Sequence, residues 1–333
     1  MQDFQRFSGR RGLLLAALAA ATVFGVAPSA RAQGDIWPGK PIRLVVNFPP
    51  GSSPDVLARA VSLPLQQALG QPVVVDNRAG ASGMIGAELV AKSPADGYTL
   101  LMTAGSTITT NPLIYPKIPY DTSRDLVPVA AAARLALFLV VRPELPVQNL
   151  KEFVAYLKAN PGKLSYGSAG NATGLHLAGE MFKSQAGVFA VHVPYKGASP
   201  ALQDLLAGQI DFLFDPGIAL VHVRAGKLKM LGVAVSHRSS AFPDVPTLAE
   251  SGLKGFDAGT THGFYAAAGT SPEIVARLNR EINRILAMPA VRTQIATIGA
   301  EPSPMTPAQF AAQMEDDSRR YGAVIKERGI KAD

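Results

Sequence analysis

The chain has 333 residues, of which 47% are hydrophobic and 17% are charged, and it contains no cysteine. This composition excludes a disordered protein and a disulfide-stabilised one, and the length suggests about two domains of ~150 residues each. The net charge is +7, and it falls to +4 without residues 1–32, which carry four arginines and one aspartate. So modest a charge, with no basic stripe interleaved with aromatics, argues against a nucleic-acid partner.

Residues 1–32 are predicted to be a signal peptide. Three arginines precede an apolar run over 12–27, and Ala30-Arg31-Ala32 is an Ala-x-Ala cleavage site. The apolar run is shorter than the ~20 residues that span a bilayer, which favours cleavage before Gln33 over a retained membrane anchor. We therefore expect a periplasmic protein without stable membrane insertion. The Arg10-Arg11 pair leaves twin-arginine export open beside the general secretory route.

The first predicted elements form a strand-to-helix corner. A buried strand over 42–47 leads into the loop Phe48–Asp55 and then into a helix over 54–69, for which Ser53 is the predicted N-cap. Pro64 predicts a kink or break in that helix. Free amides and the positive end of the helix dipole face the loop, an arrangement typical of an anion site. The alternative is that the loop does no more than cap the corner.

The corner is followed by further strands and by glycine-rich turns. Strands are predicted over 73–75, 99–102, 137–141, 164–166, 191–193, 210–214 and 230–235. Their alternation with helices predicts parallel sheets with right-handed crossovers, and hence an α/β fold of two Rossmann-like lobes around a cleft. Glycine-rich corners at 80–83 and 167–171, one in each lobe, would let a ligand approach backbone amides closely.

The two lobes are predicted to divide the chain discontinuously. Residues 33–134 and 239–333 would form lobe 1, and residues 135–238 would form lobe 2. The tail carries a strand over 264–267 and a last helix that Thr306 begins with a capping box. The two chain crossings, near 134–139 and 234–240, are the expected hinge.

Nucleotide and metal sites are not indicated by the motifs. The sequence has no Walker A loop and no G-x-G-x-x-G fingerprint, and its five histidines are not spaced as helical metal ligands. We therefore expect no cofactor, no metal and no enzymatic activity. An exported Ser-dependent hydrolase remains an alternative, in which Ser168, His176 and Asp215 would meet in the cleft.

Motifs spread along the whole mature chain carry a family resemblance. They include Trp37-Pro38, Phe48-Pro49-Pro50-Gly51, Gly70-Gln71-Pro72-Val73-Val74-Val75, Asp96-Gly97-Tyr98-Thr99-Leu100, His192-Val193-Pro194-Tyr195-Lys196-Gly197 and Pro243-Asp244-Val245-Pro246-Thr247. With these motifs the chain resembles the Bug-type solute receptors of tripartite tricarboxylate transporters. The resemblance implies a type II-like periplasmic binding protein, monomeric, that captures a small carboxylate for a two-component membrane permease. A sensor that feeds a signalling kinase stays open as an alternative.

The resemblance also implies a ligand site in which main-chain amides and waters hold the carboxylate. Carried over by position, its residues are Phe48, Gly51, Ser52, Ser53, Asp55, Gly80, Ala81, Ser82, Gly83, Ser106, Ser168, Ala169, Gly170, Asn171, Thr173, His176, Lys196, Gly197 and Asp215. For three of them a plain structural role is an open alternative: His176 could pack in the core, Asp215 could cap a helix and Lys196 could be solvated. Two departures from the family pattern are Pro54, which removes an amide donor, and Thr261-His262-Gly263, where the family often has Trp-Phe-Gly.

Overall fold

The computed structural model describes residues 37–239 and 241–331, so the predicted signal peptide lies outside the described residues. The strands are β1 (Ile42–Val46), β2 (Val73–Asn77), β3 (Thr99–Thr103), β4 (Leu126–Leu135), β5 (Phe138–Val141), β6 (Ser165–Ser168), β7 (Val191–Pro194), β8 (Phe212–Asp215), β9 (Lys229–Val233), β10 (Thr260–Ala267) and β11 (Ala300–Pro302). The helices are α1 (Ser53–Leu69), α2 (Met84–Ala91), α3 (Gly105–Thr109), α4 (Asn111–Ile114), α5 (Leu150–Ala159), α6 (Gly174–Ala186), α7 (Ala198–Leu206), α8 (Leu220–Arg224), α9 (Pro272–Leu286), α10 (Pro289–Ala296) and α11 (Pro307–Arg328), with a 3-10 turn at Ala81–Gly83.

The first sheet has the strand order β11-β4-β10-β3-β1-β2. Strands β2, β1 and β3 are parallel, as the strand–helix alternation predicts. Strand β10 lies between β3 and β4 and runs antiparallel to both, so the prediction of a wholly parallel sheet is wrong here. A strand parallel to β3 would need a crossover connection that returns the chain to the same end of the sheet. Strand β10 has no such connection, because the chain reaches it from the second sheet.

The second sheet has the strand order β7-β6-β8-β5-β9. Strands β7, β6 and β8 are parallel, and β5 is antiparallel to both of its neighbours. The chain passes from the first sheet to the second between Leu135 and Phe138. Leu248, Phe256 and Ala258 still pack in the core of the second sheet, and the first strand residue back in the first sheet is Thr260. The predicted lobe boundaries stay predictions, since the described chain from Pro38 onward forms one compact unit.

Helix α1 starts one residue earlier than predicted and is not broken. Its N-cap is Ser52 rather than Ser53, and Gly70 ends it in the left-handed region with φ 72°. The helix continues through Pro64, where a break was expected. A proline ring removes one hydrogen bond of the helical ladder, while the apolar face around Leu57 and Val61 stays fully buried and holds the helix on the sheet.

Helix α6 is fixed against the second sheet by aromatic packing. The Phe182 ring lies 5.8 Å from the Phe153 ring and 5.8 Å from the Phe214 ring, measured between centroids. All three side chains are fully buried. The packing holds the N-terminus of α6 in place at one end of the sheet.

Helix α11 packs against the cores of both sheets. Thr306 caps it with the predicted capping box, in which the Thr306 side chain accepts from the Gln309 amide. Phe310 belongs to the core of the first sheet, whereas Tyr321 belongs to the core of the second. Between them, Arg320 donates to the carbonyl of residue 257 at 2.9 Å.

Candidate functional site

A narrow cavity of about 30 Å³ lies among the loops that follow the strands of both sheets. Its lining consists of Phe48, Ser52, Ser53, Pro54, Ala104, Ser106, Leu137, Ala169, Thr173, Gly174, Leu175, Ala198, Pro216, Thr260 and His262. Among these described residues none is Asp, Glu, Lys or Arg. The space is therefore narrow and has no formal charge in its walls.

The N-termini of four helices reach this cavity. Its lining includes the first residues of α1, α6 and α7, and Ala104 and Ser106 at the start of α3. At all four described N-termini no side chain of the N-cap residue accepts a bond from the first helical amides. The amides of a first helical turn have no partner within their helix, and with the helix dipole they favour a negative charge. The cavity therefore has the properties of an anion site.

Two of these N-caps use their hydroxyl groups elsewhere. Ser52 Oγ donates to the carbonyl of Pro49 at 2.6 Å, and Thr173 Oγ1 donates to the carbonyl of Gly170 at 2.7 Å. Helix α7 has Gly197 as its N-cap, one residue before the helix begins, so Ser199 lies inside the first turn. Because these hydroxyl groups already donate to loop carbonyls, an incoming anion would accept its hydrogen bonds from the backbone amides.

Asp55 stabilises the first loop and does not line the cavity. Its Oδ2 accepts from the Gly51 amide at 2.9 Å and from Arg59 Nε at 2.9 Å, and its Oδ1 accepts from Asn77 Nδ2 at 2.9 Å. Burial alone would raise the pKa of this carboxyl, but the bonds from Arg59, Gly51 and Asn77 outweigh it and hold the pKa below its usual value. Asp55 and Gly51, which were predicted to be ligand residues, thus fix the shape of the loop.

The glycine-rich corner at 80–83 meets the corner of the other sheet instead of lining the cavity. Ser82 Oγ donates to the carbonyl of Asn171 at 2.7 Å. Ala81 and Ser82 have positive φ angles of 46° and 51°, in a region that residues with a Cβ seldom adopt. A Cβ added to Gly170 would lie 2.7 Å from Ser82 Oγ. These predicted residues therefore join the two halves of the molecule beside the cavity.

A pair of histidines supports the loop over 168–174. Ser168 Oγ and His192 Nε2 are 2.7 Å apart, and the Ala172 amide donates to His176 Nδ1 at 3.2 Å. The His176 and His192 rings stack with 4.1 Å between centroids. His176 thus supports the loop through its contact with the Ala172 amide, while Ala169 and Thr173 are the loop residues that line the cavity.

The Ser-dependent hydrolase alternative does not have the geometry it needs. Ser168 contacts His192, not His176, and Asp215 Oδ1 accepts from the amides of Gly217 and Ala219 at 2.7 and 2.8 Å. A catalytic triad would require Asp215 to orient the histidine. The three predicted residues are therefore engaged in separate local contacts.

Ser53 and His262 form a second serine–histidine contact, and both line the cavity. Ser53 Oγ and His262 Nε2 are 3.0 Å apart. Complete burial lowers the pKa of His262 to about 3. Among the described residues its Nδ1 has no hydrogen-bond partner. A histidine that resists protonation and lacks an orienting carboxylate is a poor general base.

Asp215 and Lys196, the charged residues predicted near the ligand, do not line the cavity. Asp215 is fully buried, and burial raises its pKa to about 7. Among the described residues its Oδ2 has no hydrogen-bond partner. Lys196 is exposed to solvent. Asp215 thus supports the turn that places Pro216 on the cavity wall.

Several lining residues escaped the sequence analysis. Thr260 and His262 reach the cavity because β10 is inserted into the middle of the first sheet. Leu137 and Pro216 have no sequence feature that indicates a ligand site. Leu137 begins one predicted strand, and Pro216 follows shortly after another. Ala198 directly precedes Ser199-Pro200, a pair typical of a helix N-terminus, so a local sequence signal for it does exist.

Residues 37–239 and 241–331 contain no group of three or more His, Cys, Asp or Glu that could hold a metal ion. In the same ranges no helix is both long and apolar enough to cross a membrane.

Comparisons with known proteins give a consistent result. The family model described as tripartite tricarboxylate transporter family receptor, TctC, matches residues 57–330. The protein BugT of Bordetella pertussis is 41% identical over 306 residues, which cover 91% of this chain and 94% of BugT. The solved structure of R. palustris Rpa4515 with adipate is 35% identical with a TM-score of 0.87, covering 89% of this chain and 99% of that one. MatC from Rhodopseudomonas palustris with bound malate is 32% identical with a TM-score of 0.83, covering 87% and 100%.

These comparisons confirm the predicted Bug-type family and the predicted two-lobe α/β fold of periplasmic binding proteins. Because the family consists of receptors, they also confirm that the protein is not an enzyme. The individual ligand contacts stay predictions. The chain belongs to the receptor family of the tripartite tricarboxylate transporters, TctC.

Proposed function

We propose that this chain is a monomeric periplasmic receptor that captures a small organic carboxylate and delivers it to a two-component membrane permease. The observation that carries the proposal is the convergence of the N-termini of α1, α6 and α7 on one cavity whose described lining has no charged side chain. Backbone amides and water would hold the carboxylate instead of a salt bridge. The adipate bound by Rpa4515 and the malate bound by MatC support carboxylates as the ligand class.

Backbone groups are sufficient for useful affinity. An anion at a helix N-terminus gains about 0.3–1 kcal/mol from the dipole, and up to about 2 kcal/mol where it is partly buried. Hydrogen bonds to a charged group contribute roughly 1.5–3 kcal/mol each. Two or three such bonds per carboxylate reach the roughly −8 kcal/mol of a micromolar complex after the costs of association.

Ligand entry requires the two halves to separate. The carbonyls of residues 171 and 172, beside the cavity, accept bonds from side chains on the first-sheet side. Ser82 Oγ and Tyr115 Oη donate to Asn171 at 2.7 and 3.1 Å, and Thr110 Oγ1 donates to Ala172 at 2.5 Å. We therefore take the narrow cavity as a closed state, and the two chain crossings as the hinge that opens it.

Calorimetry of the mature protein with adipate and with adipamide tests the proposal. Adipamide keeps the length and shape of adipate but has no negative charge. We expect micromolar binding of adipate, or of malate in a parallel titration, and at least a hundredfold weaker binding of the diamide. The protein should be unfolded, washed and refolded first, to remove any co-purified ligand. Equal binding of adipate and adipamide, or no binding of any carboxylate in a panel of such acids, would refute the proposal.

A further inference from the structure

One part of the cavity wall, on the first-sheet side, is polar. Ser106 lies in the first turn of α3, and Thr260 and His262 lie in β10. Residues two apart in a strand point to the same face of a sheet, so Thr260 and His262 are neighbours on the face that meets the cavity. The three side chains are 5%, 6% and 3% exposed. Together they form a buried group of side chains, which we call the polar cluster.

Close packing of β10 against α3 brings the members of the polar cluster together. A Cβ added to Gly105, the first residue of α3, would lie 2.8 Å from Thr260 Oγ1 and 2.5 Å from the Thr261 carbonyl oxygen. The strand can approach the helix this closely because Gly105 has no side chain. Ser106 follows Gly105 directly, so the side chains of Ser106 and Thr260 border the same part of the cavity.

The polar cluster has hydrogen-bonding groups to spare. Within the part of the chain that the structure describes, the hydroxyls of Ser106 and Thr260 have no hydrogen-bond partner. His262 Nε2 contacts Ser53 Oγ at 3.0 Å, while its Nδ1 has no partner among the same residues. A neutral imidazole and a hydroxyl have two polar hydrogens between them, and their mutual bond uses one. Whichever atom donates in that bond, the Ser53–His262 pair has one donor and one acceptor left.

These spare groups match a hydroxyl better than any other common substituent of an organic acid. Each member of the polar cluster can donate as well as accept, and the described lining has no charged side chain. A ligand hydroxyl, with one hydrogen and two lone pairs, serves both roles. A methylene in its place would leave buried polar groups unpaired, and a second carboxylate would accept only.

We infer that Ser106, Thr260 and His262 bind a hydroxyl group of the ligand, and that this receptor prefers 2-hydroxycarboxylates to the corresponding unsubstituted acids. The hydroxyl lies beside a carboxylate because Ser53, the partner of His262, is the first residue of α1, whose amides would hold the anion. The inference rests on the proposed receptor function and narrows its substrate class. The preference should be roughly 10- to 100-fold, since the unsubstituted acid leaves the polar cluster unpaired.

Matched acids test the inference directly. Succinate and the two enantiomers of malate share a four-carbon chain, and adipate and the two enantiomers of 2-hydroxyadipate form the six-carbon counterpart. In calorimetric titrations of refolded, ligand-free wild-type protein, we compare the three acids of the chain length that binds more tightly. One hydroxy-acid enantiomer should bind at least about tenfold more tightly than the parent acid and than its mirror image, because groups fixed in the wall recognise one hand. A parent acid that binds as tightly as both of its hydroxy acids would overturn the inference and leave the receptor function standing, whereas absence of binding by all six acids would overturn both.

Two variants test which side chains bind the hydroxyl. Thr260→Val removes one hydroxyl of the polar cluster and keeps the branched shape, and Ser106→Ala removes another. We expect each to reduce the ratio of hydroxy-acid to parent-acid affinity by about tenfold. Thr261→Val is the matched control, since Thr261 is the next residue of β10, is 1% exposed, has an unpartnered hydroxyl among the described residues and does not line the cavity.

The control should keep the affinity ratio within about twofold of wild type. The ratio is a readout that lost stability does not change, because both acids bind the same folded fraction of the protein. A wild-type ratio in folded Thr260→Val and Ser106→Ala proteins would overturn the assignment of the hydroxyl to the polar cluster.

Discussion

The replacement Thr173→Asp tests whether the N-terminus of α6 holds the anion. Thr173 is the N-cap of α6, it is 2% exposed and it lines the cavity. Its hydroxyl donates to the Gly170 carbonyl and leaves the first amides of α6 to a ligand. An aspartate is a better N-cap than threonine, so its carboxylate would take the same amides from inside the protein. The variant should therefore fold well and bind anions poorly.

The expected loss of affinity follows from the repulsion between the Asp carboxylate and the carboxylate of the ligand. Two carboxylates about 4 Å apart repel by about 4 kcal/mol at an effective dielectric constant of 20. Since each 1.4 kcal/mol is a factor of ten, we expect affinity to fall by several hundred- to a thousandfold. Losing the bond to Gly170 costs about 1 kcal/mol, and the stronger cap recovers a similar amount. The free energy of unfolding should therefore change by no more than about 1 kcal/mol.

The assay is calorimetric titration with adipate, alongside urea unfolding of the same samples. Thr306→Asp is the control, because Thr306 is also an N-cap and introduces the same charge at an exposed helix start outside the cavity. We expect its affinity to stay within about twofold of wild type. If folded Thr173→Asp protein binds adipate within threefold of wild type, the anion does not lie at the N-terminus of α6 and the amide mechanism is wrong there.

The remaining predictions concern steering, processing, closure and pH. Lys196→Ala should slow association and reduce its salt dependence in stopped-flow traces while the equilibrium affinity changes less than threefold; loss of binding would instead show a direct ion pair. The intact mass of periplasmic material should correspond to a chain that begins at Gln33. A retained segment 1–32 would contradict the proposed periplasmic location. Small-angle scattering should show a smaller radius of gyration with saturating ligand than without, and an unchanged radius would count against a hinge. The pKa of Asp215 is raised from 3.8 to about 7 in the folded protein, so this carboxyl binds its proton more tightly there than in the unfolded chain. It therefore lowers the free energy of unfolding by up to about 1.4 kcal/mol per pH unit as pH rises from 4 to 7. His262, lowered from 6.5 to about 3, does the opposite and makes stability fall as pH decreases from 6.5 to 3. In urea titrations over pH 4–7 the slope of stability against pH should become more positive in Asp215→Asn and more negative in His262→Gln, and slopes that move together would refute the assignment.

Local signals predicted those parts of the site that depend on a few adjacent residues. Ser52, Ser53 and Thr173 line the cavity because a strand end, a small polar residue and a following helix place them there. The C-terminus of α1 at Gly70 and the N-terminus of α11 at Thr306 could likewise be predicted, since left-handed glycines and capping boxes act within one helical turn.

Features that depend on distant parts of the chain could not be predicted in this way. Strand β4 was missed because Ala130–Ala133 is buried on both faces and shows no alternation. His262 reaches the cavity only because β10 inserts between β3 and β4, which no local pattern indicates. Asp55 and Asp215 stand at the predicted corners, but their carboxylates turn toward the amides of their own loops. Sequence position does not fix where a side chain points.

Helix α11 couples the stability of the two sheets. Phe310 and Met314 finish the core of the first sheet, and Tyr321 and Ile325 finish the core of the second. One helix therefore supplies part of the wall of each core. A chain cut short by some twenty residues would lose packing in both sheets at once. Damage to this one helix should therefore unfold both halves of the molecule together and not one after the other.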